Sequence, residues 1–387
     1  MTVSTLRQQC RNLQCLSIAY PKDIEEILGT AFEYAVERRD GFNELRPLFA
    51  NQDISSFANL NYLEVHEIHG YVVKMRGGII RALLQSPNLQ TLSLSFNSET
   101  LVRLHKDDSA TQYLDFLTNF VTEYKNDGGQ PLKLSKLVLG LGILLWEDEE
   151  QAPASYLKNL TDLTSLEDVY VSNEGNDTAL CFEEPDGVAW WTFTPSVCPN
   201  LRILRFHTMS DTFESWLQDL DPGYLSQIQM ESSRGCELPK FDQILKGNGS
   251  TLSALTISYA DDSVDYGEFT SLKFPTLQAL SIGLWPITED VEASFLNWIE
   301  GMTCLEQLSF REVDPHPERN SAYYEDLGFK IALRNNRLIY LTLGESAWRI
   351  WHDAEAGGES SCCLEKLDRF EEREIEASQK RSSHGIF

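Results

Sequence analysis

The sequence predicts an α/β solenoid, an irregular horseshoe with a parallel sheet on its concave side and helices on its convex side. Three observations predict it. The stretch Leu89-Gln-Thr-Leu92-Ser-Leu94-Ser-Phe-Asn97 matches the repeat pattern L-x-x-L-x-L-x-x-N at every fixed position. An apolar triad of the same spacing recurs in order along the chain, and apolar stripes at helical spacing fall between many of the triads. In a strand, Leu92 and Leu94 turn to one face while Ser93 and Ser95 turn to the other, and Leu89 enters the same interior from the preceding turn. A single unit has no second layer against which to bury three leucines, each contributing roughly 1.5–3 kcal/mol when buried. Stacked copies supply that layer.

The first half of the chain carries the triads Leu13/Leu16/Ile18, Leu60/Leu63/Val65, Leu89/Leu92/Leu94, Leu134/Leu137/Leu139, Leu166/Val169/Val171 and Leu201/Leu204/Phe206. The second half continues with Leu225/Ile228/Met230, Leu252/Leu255/Ile257, Leu277/Leu280/Ile282, Leu305/Leu308/Phe310 and Leu338/Leu341/Leu343, making eleven copies. Chance produces single matches in leucine-rich sequence, but not an ordered series over the whole chain. The lead-ins Cys10-Arg-Asn12, Ser86-Pro-Asn88, Cys198-Pro-Asn200 and Phe274-Pro-Thr276 each stand directly before a first leucine.

Taken in order, the connections read as follows. Ile24, Ile27, Leu28, Ala31, Phe32 and Ala35 predict a helix from about Lys22 to Arg39, with Pro21 at its tolerated first turn. A shorter helix or loop follows around Leu45 to Phe49. Gly78 to Leu84 supplies one or two helical turns, and Tyr113, Phe116, Leu117, Phe120, Val121 and Tyr124 form a clean stripe ended by Asp127-Gly-Gly129. Between Leu201 and Leu305 the copies lie 24 to 28 residues apart, so their returns are single turns such as Ser215-Trp-Leu217 and Phe241 to Leu245. Longer helices return with Val291, Phe295, Trp298, Ile299 and Met302, then Tyr324, Leu327 and Ile331. Residues 1–361 are expected to form one repeat domain. Residues 362–387 are expected to open with half a repeat, Leu364 to Leu367, and continue as a charged capping helix from Arg369 that frays beyond Gln379. The ninth position is Asn only at Asn97, so the turns after the other strands need different hydrogen-bond partners, and variable loops are expected.

Lys plus Arg number 32 against 59 Asp plus Glu, a net charge of −27, which argues against nucleic acid or an anionic membrane as partner. A basic or neutral protein partner is expected. The eight cysteines form no C-x-x-C pair and read as free thiols in a reducing compartment. No apolar run has the length of a membrane span, and Met1 to Arg11 is too polar for a signal peptide, so cytoplasm or nucleus is expected.

Outward strand positions line the concave face in two rows. The first runs Ser17, Glu64, Ser93, Val138, Tyr170, Arg205, Gln229, Thr256, Ser281, Ser309, Thr342. The second runs Ala19, His66, Ser95, Gly140, Ser172, His207, Glu231, Ser258, Gly283, Arg311, Gly344. Small residues there either admit a partner close to the backbone or relieve crowding on a curved inner face. Tyr170, Arg205, His207, Glu231 and Arg311 are the candidate protein-binding anchors. Loops leaving the strands share one edge of the sheet and give an acidic rim, Glu147, Asp148, Glu149, Asp261 and Asp262, interrupted by Trp285 and other aromatics. Carboxylates beside aromatics suit a basic, apolar segment, although charged loops also simply face water.

Catalytic and metal readings find no support in the pattern. Glu64, His66, Glu67 and His69 are closely spaced, but strand alternation splits Glu64 and His66 from Glu67, so no metal site is assigned. Gly140-Leu-Gly142 lacks the third glycine and helix start of a phosphate loop, and no G-x-S-x-G or H-E-x-x-H is present. No cofactor is expected.

With the irregular copies, the Pro-Asn-Leu lead-ins at Asn88 and Asn200 and the interposed helices, the chain resembles the leucine-rich-repeat proteins of filamentous fungi, many of them F-box-like. Its helix spacing is that of ribonuclease-inhibitor-like arrays. The resemblance implies an irregular leucine-rich-repeat horseshoe that grips a target protein as a non-enzymatic scaffold, with substrate reception in ubiquitin ligation as the narrower form. It implies a ubiquitin-ligase adaptor as partner only if an F-box lies outside this chain. The one echo of that module, Pro21 to Leu28, follows the first repeat and reads as an inter-repeat helix. The alternative is a regulator or inhibitor of another enzyme, of ribonuclease-inhibitor or GTPase-activating type, for which Arg205 and Arg311 are the inner-face arginines.

Overall fold

Hydrogen bonds between like positions of successive copies build the sheet. The computed structural model describes residues 15–19, 58–68, 72–96, 116–140, 143, 154–172, 190–206, 211–230, 251–257, 273–284, 289–312, 321–344, 346–353 and 361–367. The chain divides into two compact units, residues 1–200 and 201–387.

In the first unit, β1 (Cys15–Ala19), β2 (Tyr62–Ile68), β3 (Thr91–Phe96), β4 (Lys136–Leu139) and β5 (Asp168–Val171) pair in sequence order, all parallel. The register sets Leu16, Leu63, Leu92, Leu137 and Val169 side by side, then Ile18, Val65, Leu94, Leu139 and Val171. The second unit repeats the arrangement through β6 (Ile203–Phe206), β7 (Gln227–Met230), β8 (Ala254–Ile257), β9 (Ala279–Leu284), β10 (Gln307–Glu312) and β11 (Tyr340–Leu343). Every member of the ten triads from Leu60 to Leu343 is at most 2 % exposed. The predicted interior is therefore the real one. The fold is a leucine-rich-repeat-like α/β solenoid.

The copies are also joined at the strand entry by a ladder of shared carbonyls. In the turn after the first leucine of eight copies among the described residues, two successive amides donate to one carbonyl of the copy before. Ser135 and Lys136 donate to Gln90 O, Glu167 and Asp168 to Ser135 O, Ser253 and Ala254 to Ser226 O, and Glu306 and Gln307 to Gln278 O. The hydroxyls of Ser135 and Ser253 add a third bond to Gln90 O and Ser226 O at 3.3 and 3.1 Å, and Ser226 Oγ adds one at 3.3 Å to Arg202 O, which also takes the amides of Ser226 and Gln227. Residues just ahead of the first leucine reinforce the seam. Ser86 Oγ accepts from Leu60 N, Asn200 Nδ2 donates to Thr164 O, Thr276 Oγ1 to Leu252 O, and Asn335 Nδ2 to both Ile299 O and Met302 O. Polar lead-ins thus satisfy buried backbone where side-chain asparagines after the strand do not recur.

Six α-helices stand among the described residues. Helix α1 (Val72–Leu84) begins six residues earlier than expected and is tied to α2 (Phe116–Asn126) by Arg76, whose Nε donates to Glu123 Oε2 at 2.8 Å while its Nη2 bonds the other oxygen. The expected stripe of α2 is buried at Phe116, Leu117, Phe120, Val121 and Tyr124, with Phe116 edge-on to Phe96 of β3. Gly128, at φ +89°, stops the helix. Its amide bonds Lys125 O and that of Gly129 bonds Tyr124 O, the paired bonds of a left-handed C-cap. Helix α3 (Ala154–Leu160) follows, then α4 (Asp211–Gln218), α5 (Glu289–Glu300) and α6 (Ser321–Arg334). Phe295 and Trp298 of α5 pack with Phe310 and Phe274, and α6 buries Tyr324, Leu327 and Ile331 as its spacing requires. Among the described residues no helix is long and apolar enough to cross a membrane.

The end of the chain departs from expectation. After β11 the direction reverses at Gly344, whose φ of +57° favours glycine, into β12 (Ser346–Asp353), and β13 (Ser361–Lys366) pairs antiparallel with β12. Leu364 to Leu367 is therefore not half a parallel repeat, and a strand runs across the 361/362 boundary. The Leu-x-x-Leu spacing suits either arrangement; alternation of Trp348 and Ile350 toward the interior decides for the hairpin, both being buried. The helices expected at 22–39 and from Arg369, and the turns at 45–49 and 241–245, lie outside the described residues.

Candidate functional site: the outward rows of the sheet

The register confirms the order of the first outward row within each unit. Ser17, Glu64, Ser93, Val138 and Tyr170 align in the first, and Arg205, Gln229, Thr256, Ser281, Ser309 and Thr342 in the second. Exposure along them is uneven. Tyr170 is half-buried, as are Gln229, Thr256, Ser281 and Thr342, whereas Ser93 and Ser309 are buried.

Arg205, a candidate protein-binding anchor, keeps only 5 % of its surface in water. Strands about 4.8 Å apart hold row neighbours closer than the length of an arginine side chain, so a long residue there is covered by what flanks it. Arg311 lies opposite Gly283 on β10, with only its backbone described. Four strand spacings separate β6 from β10, roughly 19 Å, and the two arginines sit at positions of different rows. His207 and Glu231 of the second row, and Glu147, Asp148, Glu149, Asp261, Asp262 and Trp285 of the expected rim, lie outside the described residues. Of the His66 group only the backbone of Glu64, His66 and Glu67 and the side chain of Glu64 are described; among the described residues no group of three His, Cys, Asp or Glu side chains is placed to hold a metal ion.

The second row bears on why small residues recur. A Cβ on Gly140 would fall 2.6 Å from the Ser95 Cβ and 3.1 Å from Leu94 O, and Ser172 and Gly283 are buried as well. Crowding therefore accounts for Gly140. Gly140→Ala is expected to cost the first unit about 1–3 kcal/mol in urea unfolding, the penalty of forcing a methyl group into close-packed backbone.

A third outward row escaped the sequence reading, because the repeat pattern draws attention to positions after the second leucine. It lies just before it: Tyr62, Thr91, Lys136 and Asp168 in the first unit, and Gln227, Ala254, Ala279, Gln307 and Tyr340 in the second. Lys136 Nζ stands 3.5 Å from Asp168 Oδ2, with both side chains nearly covered. This ion pair sits on the sheet face beside Val138 and Tyr170. The hairpin extends the row further, to Arg349 opposite Tyr340 and Glu365 opposite Arg349.

Burial alone pushes the Cys198 thiol up to about 12 and raises the Tyr124 and Tyr156 phenols. Cys198 fills its lead-in as a small apolar residue, its Sγ 3.5 Å from Thr192 O. At pH 8 it should react with a maleimide on the order of a thousandfold more slowly than an ordinary thiol, while the exposed Cys304 and Cys363 label first; peptide mapping of labelled protein reads this directly. The fold holds the thiol protonated where the unfolded chain would ionise it. Its contribution is thus complete below pH 9 and is lost as the pH rises toward 12.

No protein-family model matches the chain, and no curated protein matches it. Among solved structures the chain is similar to the leucine-rich-repeat-containing protein LegL7 of Legionella pneumophila, at 11 % identity and a TM-score of 0.39, over 73 % of this chain and 88 % of that one. The fold assignment rests on the buried, register-matched triads.

Proposed function

We propose that the chain is a non-enzymatic scaffold that binds another protein along the outward rows. One observation carries the reading. In the second unit two rows of side chains, all half-exposed except the buried Ser309, run in unbroken register from β7 to β11, about 19 Å of sheet face with small or uncharged residues in its middle. An extended face of this kind suits a polypeptide, whereas small molecules are held in concave pockets that bury most of their surface. The net charge of −27 favours a basic or neutral partner.

Substrate reception in ubiquitin ligation is a narrower form of the same reading, one that needs an F-box outside this chain, and co-purification with an adaptor tests it. A regulator that inserts an arginine into another enzyme loses one of its two candidates, since Arg205 is enclosed. The test of the scaffold is crosslinking mass spectrometry on the protein captured from native extract. Crosslinks from a protein partner to residues flanking the outward rows are expected. Absence of any protein partner, or turnover of a small substrate by the purified chain, overturns the reading.

A further inference from the structure

The face of the second unit ends in four side chains that close on one another. Arg349 and Trp351, two residues apart on β12, share a face, opposite Glu365 and Cys363 of β13. The Arg349 guanidinium lies over both the Tyr340 and Trp351 rings, 5.8 Å from each centroid, and its Nη1 is 3.9 Å from Glu365 Oε2. The same oxygen accepts a hydrogen bond from Trp351 Nε1 at 2.9 Å.

This closed set has two physical consequences. The one polar atom of the indole is already satisfied, so the part of Trp351 left in water is apolar ring. The hydrogen bond and the cation above the ring also fix the side chain before anything binds, which lowers the entropy lost on association. Yet Trp351 remains 52 % exposed, while Trp216, Trp298 and Trp348 are buried. A held, uncovered tryptophan at the end of an extended face has the character of an interface anchor.

The chemistry already present says what it takes. Two rings and a carboxylate hold one guanidinium, and the open part of Trp351, beside the exposed Glu365, offers the same combination outward. We propose that Trp351 and Glu365 form an anchor point for a lysine or arginine side chain of a basic partner polypeptide laid along the sheet face. The proposal rests on the scaffold reading and names the partner's chemistry. The chain's charge of −27 draws such a segment in, and cation–π contact with the ring, strengthened by the adjacent carboxylate, retains it.

The test uses the full chain labelled with 5-fluorotryptophan, the Trp351 fluorine signal being assigned from W351F. Hexa-arginine peptide is titrated against a hexa-glutamate control. Expected are a solvent isotope shift of the Trp351 signal in the free chain, a saturable displacement by hexa-arginine alone, and an affinity about fivefold weaker in E365Q at unchanged thermal stability. An absent isotope shift means that another segment of the chain covers the indole, and overturns the proposal. So does a Trp351 signal that stays still while others move, or E365Q binding as tightly as the parent. If the peptide response fails while a protein partner still crosslinks to the outward rows, this anchor is refuted and the scaffold stands.

Discussion

Leu92→Ala is expected to lower the unfolding free energy of the first unit by about 2–5 kcal/mol. Leu92 has no surface in water and lies in register with Leu63 on one side and Leu137 on the other, both equally enclosed. Removing its isobutyl group takes contacts from two neighbouring layers at once, and a solenoid cannot close the gap by collapsing toward a centre, because each copy touches only the next. The loss should therefore be local in its dynamic signature. Hydrogen exchange is expected to quicken at the amides of β2, β3 and β4 well before it changes in β10 and β11, while urea unfolding gives the magnitude. A cost under about 1 kcal/mol without a local change in exchange would mean that the triads do not form a close-packed interior.

Asn335→Ala is expected to cost the second unit about 2–4 kcal/mol. Asn335 is buried; its amide nitrogen reaches Ile299 O at 3.1 Å and Met302 O at 2.9 Å, and its oxygen accepts from Arg337 N at 3.1 Å. One side chain so joins the end of α6 to the turn that closes α5. Alanine removes these three hydrogen bonds, each contributing about 0.5–1.5 kcal/mol, while Ile299 O and Met302 O keep the amides of Met302 and Leu305 as donors. Asn335→Asp discriminates between packing and hydrogen bonding: it keeps the shape and the acceptor but turns an oxygen toward two carbonyl oxygens. It should be at least as harmful as alanine. Thermal unfolding of the two variants, with a fall of several degrees in each, checks this; an aspartate variant as stable as the parent would show that the hydrogen bonds contribute nothing.

Much of the interior was legible because burial in a solenoid depends on three positions per copy, and leucine, isoleucine, valine, phenylalanine and methionine are interchangeable there. Even Met230 and Phe310 fell where spacing placed them. Helix α2 was equally clear, since five buried residues in eleven draw one stripe and Gly128 marks its end. Helix α3 was missed, as seven residues with Leu157 and Leu160 enclosed are too few to show a period. The early turns of α1 lie outside the apolar stretch Gly78 to Leu84, since Lys74, Arg76 and Gly77 add nothing to an apolar stripe. The hairpin at the end was obscured by aromatic residues on both faces of β12, where Trp348 is buried and Trp351 is not. The outward surface was the least legible part. Its rows could be written down from the pattern, but whether Arg205 stands in water or lies enclosed depends on neighbours that no spacing rule specifies.

The shared carbonyls at the strand entries make the join between any two copies largely a matter of main chain, indifferent to most side chains it passes. A lineage built this way can duplicate, delete or exchange a unit and find the new junction already matched. It can also rewrite many surface residues between the apolar positions while keeping its shape, so long as crowded and lead-in positions such as Gly140 and Asn335 are kept.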